Sequence, residues 1–484
     1  MNLNVVSESS SIPLFPRTGD EQMMKTVALR AFKGVISSSD DKRTVPVVWR
    51  GRPGSCAFAC SGRTIAIRVI LLAGLFSAPL ATLRSAEPDV TPSPVTVTGH
   101  DFNRPDPFPG LGGFAWPGNI VRQPDGEWLL VHSAGYYHVS FAEPQLIEPG
   151  LRKAWLAEGW PLDFPAPTGG RSMMVRSHDQ GRTWSKPTTL IDLPLDDSPH
   201  GLLRCEDGTL LCFISVQASW YGFPEAPPSF KGDLGGLNTR QAVIRSEDGG
   251  RNWSVPIWIE SPGDFYERCH AQPIVLPSGR ILLPTYFSKK NDTRLYGALH
   301  ASDDNGRSWR LLATITRDRD GGVGNDLAAG SGKEIDFANE SGANIDEPAI
   351  TSLPDGSLLL ITRPDGGRFT SADEGRTWKF TGRLVTKGKL KAPRLFVLKD
   401  GTVVCVCTYR NLQVFLGTAA GTNWVGPFDL DPNCYGYPGG MMLDDESMLV
   451  SYCSSGRAPN RIHLLRFRVN EQRTGVELLP VSAH

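Results

Sequence analysis

The stretch Ser177-His-Asp-Gln-Gly-Arg-Thr-Trp184 fits the pattern Ser-x-Asp-x-Gly-x-x-Trp, which recurs along the chain. Intact copies occupy Ser246–Trp253, Ser302–Trp309 and Ser371–Trp378, and a degenerate copy at Gly417–Trp424 keeps a glycine and the tryptophan. Four intact eight-residue copies do not arise by chance, so the chain is built from repeated units. Each copy has the composition of a tight turn, because Asp accepts hydrogen bonds from backbone N–H groups, Gly adopts unusual φ values and Trp fills the gap between sheets.

A second repeat consists of an apolar run, a Pro/Asp-Gly turn and another apolar run. Such a turn tolerates the positive φ of a tight β-hairpin, so each copy predicts one hairpin. The turn positions are Gly126, Gly208, Gly279, Gly356, Gly401 and, in the sixth copy, Glu446. Six hairpins, most of them followed by an Asp-containing turn, predict an all-β protein: a six-bladed β-propeller of four-stranded antiparallel blades.

The composition agrees with this prediction and excludes other classes of protein. Among 484 residues, 40% are hydrophobic and 21% are charged, which is enough apolar material for a sizeable core. Lys and Arg total 50 against 51 Asp and Glu, so the chain lacks the basic excess of a nucleic-acid-binding protein. No cysteine pair has C-x₂-C spacing, and we predict neither a metal nor a cofactor. Cys405 and Cys407 lie on one predicted strand face, where cysteines more often pack than form a disulfide.

The N-terminal part has the features of an export signal. Residues 65–81 are strongly apolar and are followed by small residues that end in a candidate cleavage site at Ala86. We interpret residues 1–62 as a polar extension from an over-extended start, 63–86 as a signal peptide and 100–484 as the propeller. The apolar run is short for a membrane span, so we expect a periplasmic or extracellular protein without stable membrane insertion after cleavage. A single membrane anchor is the alternative.

The direction of the strands predicts where functional residues lie. Both kinds of turn are expected on one face, and the starts of the first strands, which line the channel of a propeller, on the other. Nine residues before the turn position, the six repeats carry Pro117, Pro199, His270, Glu347, Ala392 and Tyr437. A tight hairpin brings Arg363 and Arg410 beside this position. We therefore expect Glu347, Tyr437 and both arginines at one rim, either as a site or as solvated rim charges.

From about residue 100 onward the chain resembles the sialidase superfamily, in which the Ser-x-Asp-x-Gly-x-x-Trp turns are known as Asp boxes. The resemblance implies that the box carboxylates are structural. The segment Asp346-Glu347-Pro348 with Arg363 resembles the family's Asn-Glu-Pro…Arg segment, which implies that Glu347 is a general base and Arg363 a substrate-binding arginine. Tyr437-Pro-Gly-Gly resembles the segment of the nucleophilic tyrosine, with Tyr435 as the nearby alternative.

The resemblance further implies an exported retaining glycoside hydrolase of the exo-α-sialidase type. Its substrate would be a glycan or glycoconjugate that ends in a sialic or similarly acidic sugar, and Tyr437 would attack because a carboxylate nucleophile is repelled by the sugar's own carboxylate. Asp163, on a predicted loop before the first Asp box, matches the acid/base, although an ordinary loop aspartate is the alternative. Arg410 is the candidate for the third clamp arginine. The sequence leaves the oligomeric state open.

The first clamp arginine of the family is missing from this chain. The family has Phe-Arg-Ile-Pro at the start of the first blade, whereas this sequence has Trp116 in the arginine slot. Arg104 and Arg171 lie in neighbouring segments. A tryptophan at the rim suits stacking on a sugar ring, and His270 is a further substrate-binding candidate, with a hydrogen-bonded strand histidine as its alternative.

Two other functions remain open from the sequence. The Trp116 substitution favours a related propeller glycosidase or lyase that acts on another acidic glycan, for example one that contains uronate. A propeller that binds glycans or proteins without catalysis is the second alternative, since this fold hosts many functions. In that case Tyr437→Phe would leave binding intact.

Overall fold

The first strand of every repeat lines a common axis, and the following strands step outward from it. The computed structural model describes residues 94–99, 114–135, 171–191, 196–217, 239–264, 266–289, 294–317, 344–384, 390–408, 411–454 and 460–482. Within these ranges the strands form six antiparallel blades, with almost no helix. The all-β, six-bladed propeller predicted from the two repeats is confirmed.

Blades 1 to 3 come first along the chain. Blade 1 consists of β2 (Phe114–Arg122), β3 (Trp128–Gly135), β4 (Arg171–Ser177) and β5 (Thr188–Ile191). Blade 2 consists of β6 (Asp196–Arg204), β7 (Leu210–Gln217), β8 (Thr239–Ser246) and β9 (Ile257–Trp258). Blade 3 consists of β10 (Tyr266–Arg268), β11 (Ile274–Val275), β12 (Ile281–Ser288), β13 (Tyr296–Ser302) and β14 (Arg310–Ile315). β10 also pairs in parallel with β8, which joins blades 2 and 3.

Blades 4 to 6 follow the same plan. Blade 4 consists of β15 (Asp346–Ser352), β16 (Leu358–Arg363), β17 (Gly367–Ser371) and β18 (Lys379–Arg383). Blade 5 consists of β19 (Lys391–Val397), β20 (Val403–Thr408), β21 (Leu412–Gly417) and β22 (Asn423–Asp431), with a helical turn at Thr418–Gly421. Blade 6 contains β23 (Gly436–Met442), β24 (Met448–Cys453) and β25 (Arg461–Val469).

The two ends of the described chain together supply the outer strand of blade 6. β1 (Val95–Gly99) pairs with the first half of β25, and β26 (Val476–Leu479) pairs with its second half. Both pairings are antiparallel. Because β1 comes before blade 1 in the chain and pairs with blade 6, it links the first and last blades of the ring. The propeller therefore includes residues just before position 100, where the sequence placed its start.

The Asp boxes form the hydrogen-bonded turns that their composition predicts. In the first box the Asp179 carboxylate accepts the Thr183 N–H at 2.9 Å and the Thr183 hydroxyl at 2.6 Å. The Ser177 hydroxyl donates to Asp179 at 2.9 Å and accepts the Gly181 N–H at 2.8 Å. The same pattern recurs in the other three intact boxes. These carboxylates are therefore occupied in holding turns, which is their predicted structural role.

The Asp-box tryptophans pack between neighbouring blades. Each belongs to the apolar cluster that its own blade shares with the preceding blade: Trp184 in blade 1, Trp253 in blade 2, Trp309 in blade 3, Trp378 in blade 4 and Trp424 in blade 5. Trp424 keeps this place although its box lacks the Ser and Asp, and its indole N–H donates to the Gly421 carbonyl at 2.7 Å. The tryptophans thus join blades as well as closing turns.

Both kinds of turn lie on the same face of the propeller, as strand direction predicts. The Asn305 amide in the third Asp box donates to Asp207 in the second hairpin turn at 2.8 Å. Arg280, which follows the third hairpin turn, pairs with Glu374 in the fourth Asp box at 2.6 Å. The starts of the first strands therefore lie on the opposite face.

The remaining sequence predictions fall partly outside the described residues. The seven cysteines of the described chain are buried and free, and the packing predicted for Cys405 and Cys407 is confirmed. The predicted polar extension at 1–62 and the predicted signal at 63–86 lie outside the described residues. Within the residues that the structure describes, no helix is long and apolar enough to cross a membrane.

Replacing Trp378 with alanine should lower the free energy of unfolding by about 3–5 kcal/mol, as for other buried aromatics. Trp378 is 8% exposed and packs between blades 3 and 4, so its removal leaves a cavity at that junction. Urea denaturation followed by circular dichroism measures the change. Val255→Ala is the control, since Val255 is 81% exposed. Equal denaturation midpoints for the two variants would contradict the packing role.

Lowering the pH from about 4 to 2 should destabilise the propeller partly through its Asp boxes. Hydrogen bonds from the Thr183 side chain and backbone lower the pKa of Asp179 to about 2. The pKa of an aspartate in the unfolded chain is about 3.9. A carboxyl group whose pKa is lower in the folded state stabilises the fold at pH values above about 3.9, and this contribution is lost as the pH falls toward the folded pKa. Asp179→Asn should therefore weaken the pH dependence of the urea midpoint. An unchanged dependence would be inconsistent with these hydrogen bonds.

Candidate active site

An irregularity occurs near the start of the first strand in each blade, around the position nine residues before the turn. Register shifts interrupt the pairing of β2, β6, β15, β19 and β23 there, and in blade 3 His270 lies in the gap between β10 and β11. Glu347 and Ala392 both have φ near +46°, a conformation that costs free energy for residues other than glycine. Bulges of this kind redirect side chains and are common beside active sites.

Three residues predicted from the sequence meet at this rim. The Arg363 Nη1 group donates to Glu347 Oε1 at 2.9 Å and lies 3.5 Å from the Tyr437 hydroxyl oxygen. Arg363 Nε also lies 3.4 Å from Asp346 Oδ2. The guanidinium therefore contacts two carboxylates and a phenol, which favours negative charge on the phenol oxygen.

The Glu347 carboxylate is held in place by the neighbouring blade. Its Oε2 atom accepts the backbone N–H of Ala392 at 2.7 Å, and its side chain is only 2% exposed. This hydrogen bond joins the two residues that have positive φ. The other carboxylate oxygen of Glu347, Oε1, accepts the hydrogen bond from Arg363. The carboxylate therefore has a fixed orientation beside Tyr437.

Burial raises the pKa of Tyr437 well above its usual value, and the negative charge of Glu347 raises it further. The nearby Arg363 acts in the opposite direction. At neutral pH the phenol is therefore protonated, and it must lose its proton if the oxygen is to attack. Glu347 is the carboxylate placed to accept that proton.

Tyr437 lies between two other aromatic rings. The Trp116 ring centroid is 4.5 Å from that of Tyr437, and the His270 centroid is 4.7 Å away on tilted planes. Trp116 is only 4% exposed, and its ring packs on Tyr437. The stacking of Trp116 on a sugar ring stays a prediction. Tyr435 is 38% exposed and meets the edge of Trp116, whereas the contact with Arg363 is made by Tyr437.

Below Tyr437, His270 continues a column of rings. It lies 4.3 Å from His200 and is stacked at 5.7 Å on Tyr286, measured between ring centroids. Burial lowers the pKa of both histidines well below 6.5, and the positive charge of Arg268 lowers both further. The column is therefore uncharged at neutral pH. Binding of substrate by His270 stays a prediction.

Some predicted residues lie outside the description. Asp163, Arg410 and Arg104 fall outside the described residues, and of Arg171 only the backbone, at the start of β4, is described. Their assigned roles stay predictions. Within the described ranges, no group of three or more His, Cys, Asp and Glu side chains could hold a metal ion.

Sequence reasoning noted Arg268 only as a neighbour of His270 and missed Arg394. Arg268 lies two positions before His270, and its Nη2 is 3.4 Å from His200 Nε2. Arg394 lies two positions after Ala392 and donates from Nη2 to the His270 carbonyl at 3.3 Å. Strand alternation could not place Arg394, because the register shift between Lys391 and Arg394 interrupts the two-residue period there.

Replacing Glu347 with glutamine should lower the pKa of Tyr437, because the carboxylate charge favours the neutral phenol. The titration can be followed by NMR of protein labelled with carbon-13 at the tyrosine Cζ atom. Tyr452, whose hydroxyl donates to Asp431 in the core, serves as an internal control and should not shift. A Tyr437 pKa that stays the same would contradict the contact between the two side chains.

Comparison with known proteins agrees with this architecture. The family model for the BNR repeat-like domain matches residues 202–450. A protein of unknown function from Dyadobacter fermentans DSM 18053 is 18% identical with a TM-score of 0.55, covering 80% of this chain and 98% of its own. The Hadza microbial sialidase Hz136 is 17% identical with a TM-score of 0.51, covering 73% of this chain and 66% of its own. A comparison with curated proteins found no match. At these identities the solved structures support the sialidase-like propeller fold alone.

Proposed function

The chain belongs to the BNR repeat-like domain family, and we propose that it is a retaining glycoside hydrolase whose nucleophile is Tyr437. The observation that carries this proposal is that one guanidinium, Arg363, contacts both Glu347 and the Tyr437 hydroxyl. A tyrosine, a fixed base and a cation at one point are the groups that nucleophilic attack by a phenol requires.

In the first step the Tyr437 oxygen attacks the anomeric carbon of the terminal sugar. Glu347 accepts the phenolic proton, Arg363 stabilises the charge that develops on the oxygen, and the aglycone departs with a proton from an acid, for which Asp163 is our candidate. In the second step water attacks the tyrosyl-glycoside. The proton of the water passes to the same acid/base group, and the phenol recovers its proton from Glu347. Because each of the two displacements inverts the anomeric carbon, the overall reaction retains its configuration.

We propose as the substrate class sialic or similarly acidic terminal sugars of glycoconjugates. The support is the match of Glu347, Arg363 and Tyr437 to the sialidase pattern, together with the sialidase-like fold. The apolar run at 65–81 supports export to the periplasm or the extracellular space.

A second candidate is a related glycosidase or lyase that acts on a different acidic glycan. Trp116 occupies the slot of the first clamp arginine. Arg363 is also paired with Asp346 and Glu347, so a substrate carboxylate would compete with two protein carboxylates for this guanidinium. Both observations favour a site that differs from that of the sialidases in how it recognises the sugar.

Tyr437→Phe should lower turnover by about 10²-fold or more, because the variant lacks the attacking oxygen. The purified protein is assayed with a fluorogenic sialoside and with a panel of uronate-containing oligosaccharides. Tyr435→Phe is the matched control and should keep its activity, since Tyr435 is the exposed neighbour.

Turnover of the sialoside would support the first candidate, and turnover of uronates alone would support the second. A folded wild-type protein that turns over neither substrate, but binds glycans on an array equally well with and without the Tyr437 hydroxyl, would overturn the enzymatic proposal.

A further inference from the structure

A cavity lies along the propeller axis, on the turn-face side of the Tyr437 rim. Its volume is about 410 Å³, and it is lined by the first strands of blades 2 to 6 beyond the ring of bulges. None of the residues that carry the proposed chemistry, Glu347, Arg363 and Tyr437, lines it. Such a volume holds several water molecules, so a small ligand fits within it.

Arg394 on β19 lines this cavity and is 4% exposed. Its Nε group donates to the Pro438 carbonyl at 3.0 Å, and its Nη2 group donates to the His270 carbonyl at 3.3 Å. Within the described part of the chain, its Nη1 group has no hydrogen-bond partner. The guanidinium therefore reaches from blade 5 to blades 3 and 6, with neutral carbonyls as its partners and both N–H donors of Nη1 unused.

Two other buried arginines in the described chain have carboxylate partners. Arg317 pairs with Asp365 at 2.7 Å, and Arg466 pairs with Asp445 at 2.7 Å. Burial lowers the pKa of Arg394 to about 10, so its guanidinium is still charged at neutral pH. A buried charge without a counterion is costly, and a bound anion would remove that cost.

The wall of the cavity is suited to an anion. Among the described residues that line it, Arg394 carries the single formal charge, and Gln272, Thr351 and Ser352 add polar side chains. β15, β19 and β23 each stand at the end of their sheet, so the inner edges of these strands present both backbone N–H and C=O groups toward the axis, and the N–H groups could donate to an anion. The wall contains donors and one cation but no competing carboxylate.

We propose that the axial cavity is a binding site for a small anion, of the size of chloride, acetate or phosphate, with Arg394 as its principal ligand. The anion would supply the counterion that the described protein residues do not. By holding the guanidinium that bridges blades 3, 5 and 6, it would stabilise the centre of the propeller. The proposal is independent of whether the Tyr437 rim is catalytic.

Thermal unfolding of the purified protein in a gluconate buffer tests this site, because gluconate is bulky. Chloride, acetate and phosphate are added separately while gluconate keeps the ionic strength constant. A ligand that binds only the folded state raises the melting temperature in a saturable way, and we expect a rise of a few degrees with at least one of the three anions. No saturable rise with any of them would overturn the proposal.

Two variants separate binding at Arg394 from general salt effects. Arg394→Met removes the charge at similar side-chain length and should abolish the anion-dependent rise. Arg317→Met is the matched control: it removes a buried arginine that has a carboxylate partner, lowers the melting temperature and should keep the rise. An equal rise in Arg394→Met and in the wild type would place the anion elsewhere and refute the assignment.

Crystals of the wild-type protein grown in bromide provide a test that does not depend on a variant folding. Bromide is an anomalous scatterer of nearly the size of chloride. We expect an anomalous peak in the axial cavity at about 3.3 Å from a nitrogen of the Arg394 guanidinium, the hydrogen-bond distance of this larger ion. The absence of a peak in the axial cavity would overturn the proposal whatever the melting data.

Discussion

Burial of both faces of each blade against its neighbours is the constraint on which the rest of this structure depends. The Asp-box tryptophans fill the junctions, and the apolar clusters run from one blade into the next. At the axis the first strands approach so closely that a Cβ atom on Gly439 would lie 1.9 Å from the Gly118 carbonyl oxygen. This close packing allows the axis to support strained backbone and buried charge.

The packing explains how Glu347 is held in an unfavourable conformation. Glu347 and Ala392 have positive φ in adjacent blades, and the Ala392 N–H donates to the Glu347 carboxylate. Neither conformation is favourable for the isolated chain, and the hydrogen bond between the blades compensates part of the cost. The orientation of the candidate base therefore depends on the junction of blades 4 and 5 as much as on its own strand.

Electrostatics divide the axis into layers. At the rim, Arg363 is paired with Asp346 and Glu347, and Tyr437 is neutral. Below it His200 and His270 are kept uncharged by burial and by nearby arginines. Deeper still, Arg394 has carbonyl partners and no described carboxylate. The two carboxylates outnumber the one guanidinium at the rim before a substrate arrives, which bears directly on how an acidic sugar would be recognised.

The repeats, the number of blades, the face that carries the rim and the three residues that meet there could all be predicted from the sequence. These follow from local patterns, because a turn motif and a period-two strand specify direction and spacing within one blade. The sequence could not determine that Trp116 is buried on Tyr437, that Arg363 is shared between Asp346 and Glu347, or that Arg394 reaches two other blades. Those contacts join residues distant in the chain, and only the closing of the ring, completed by β1 and β26 on β25, brings them together.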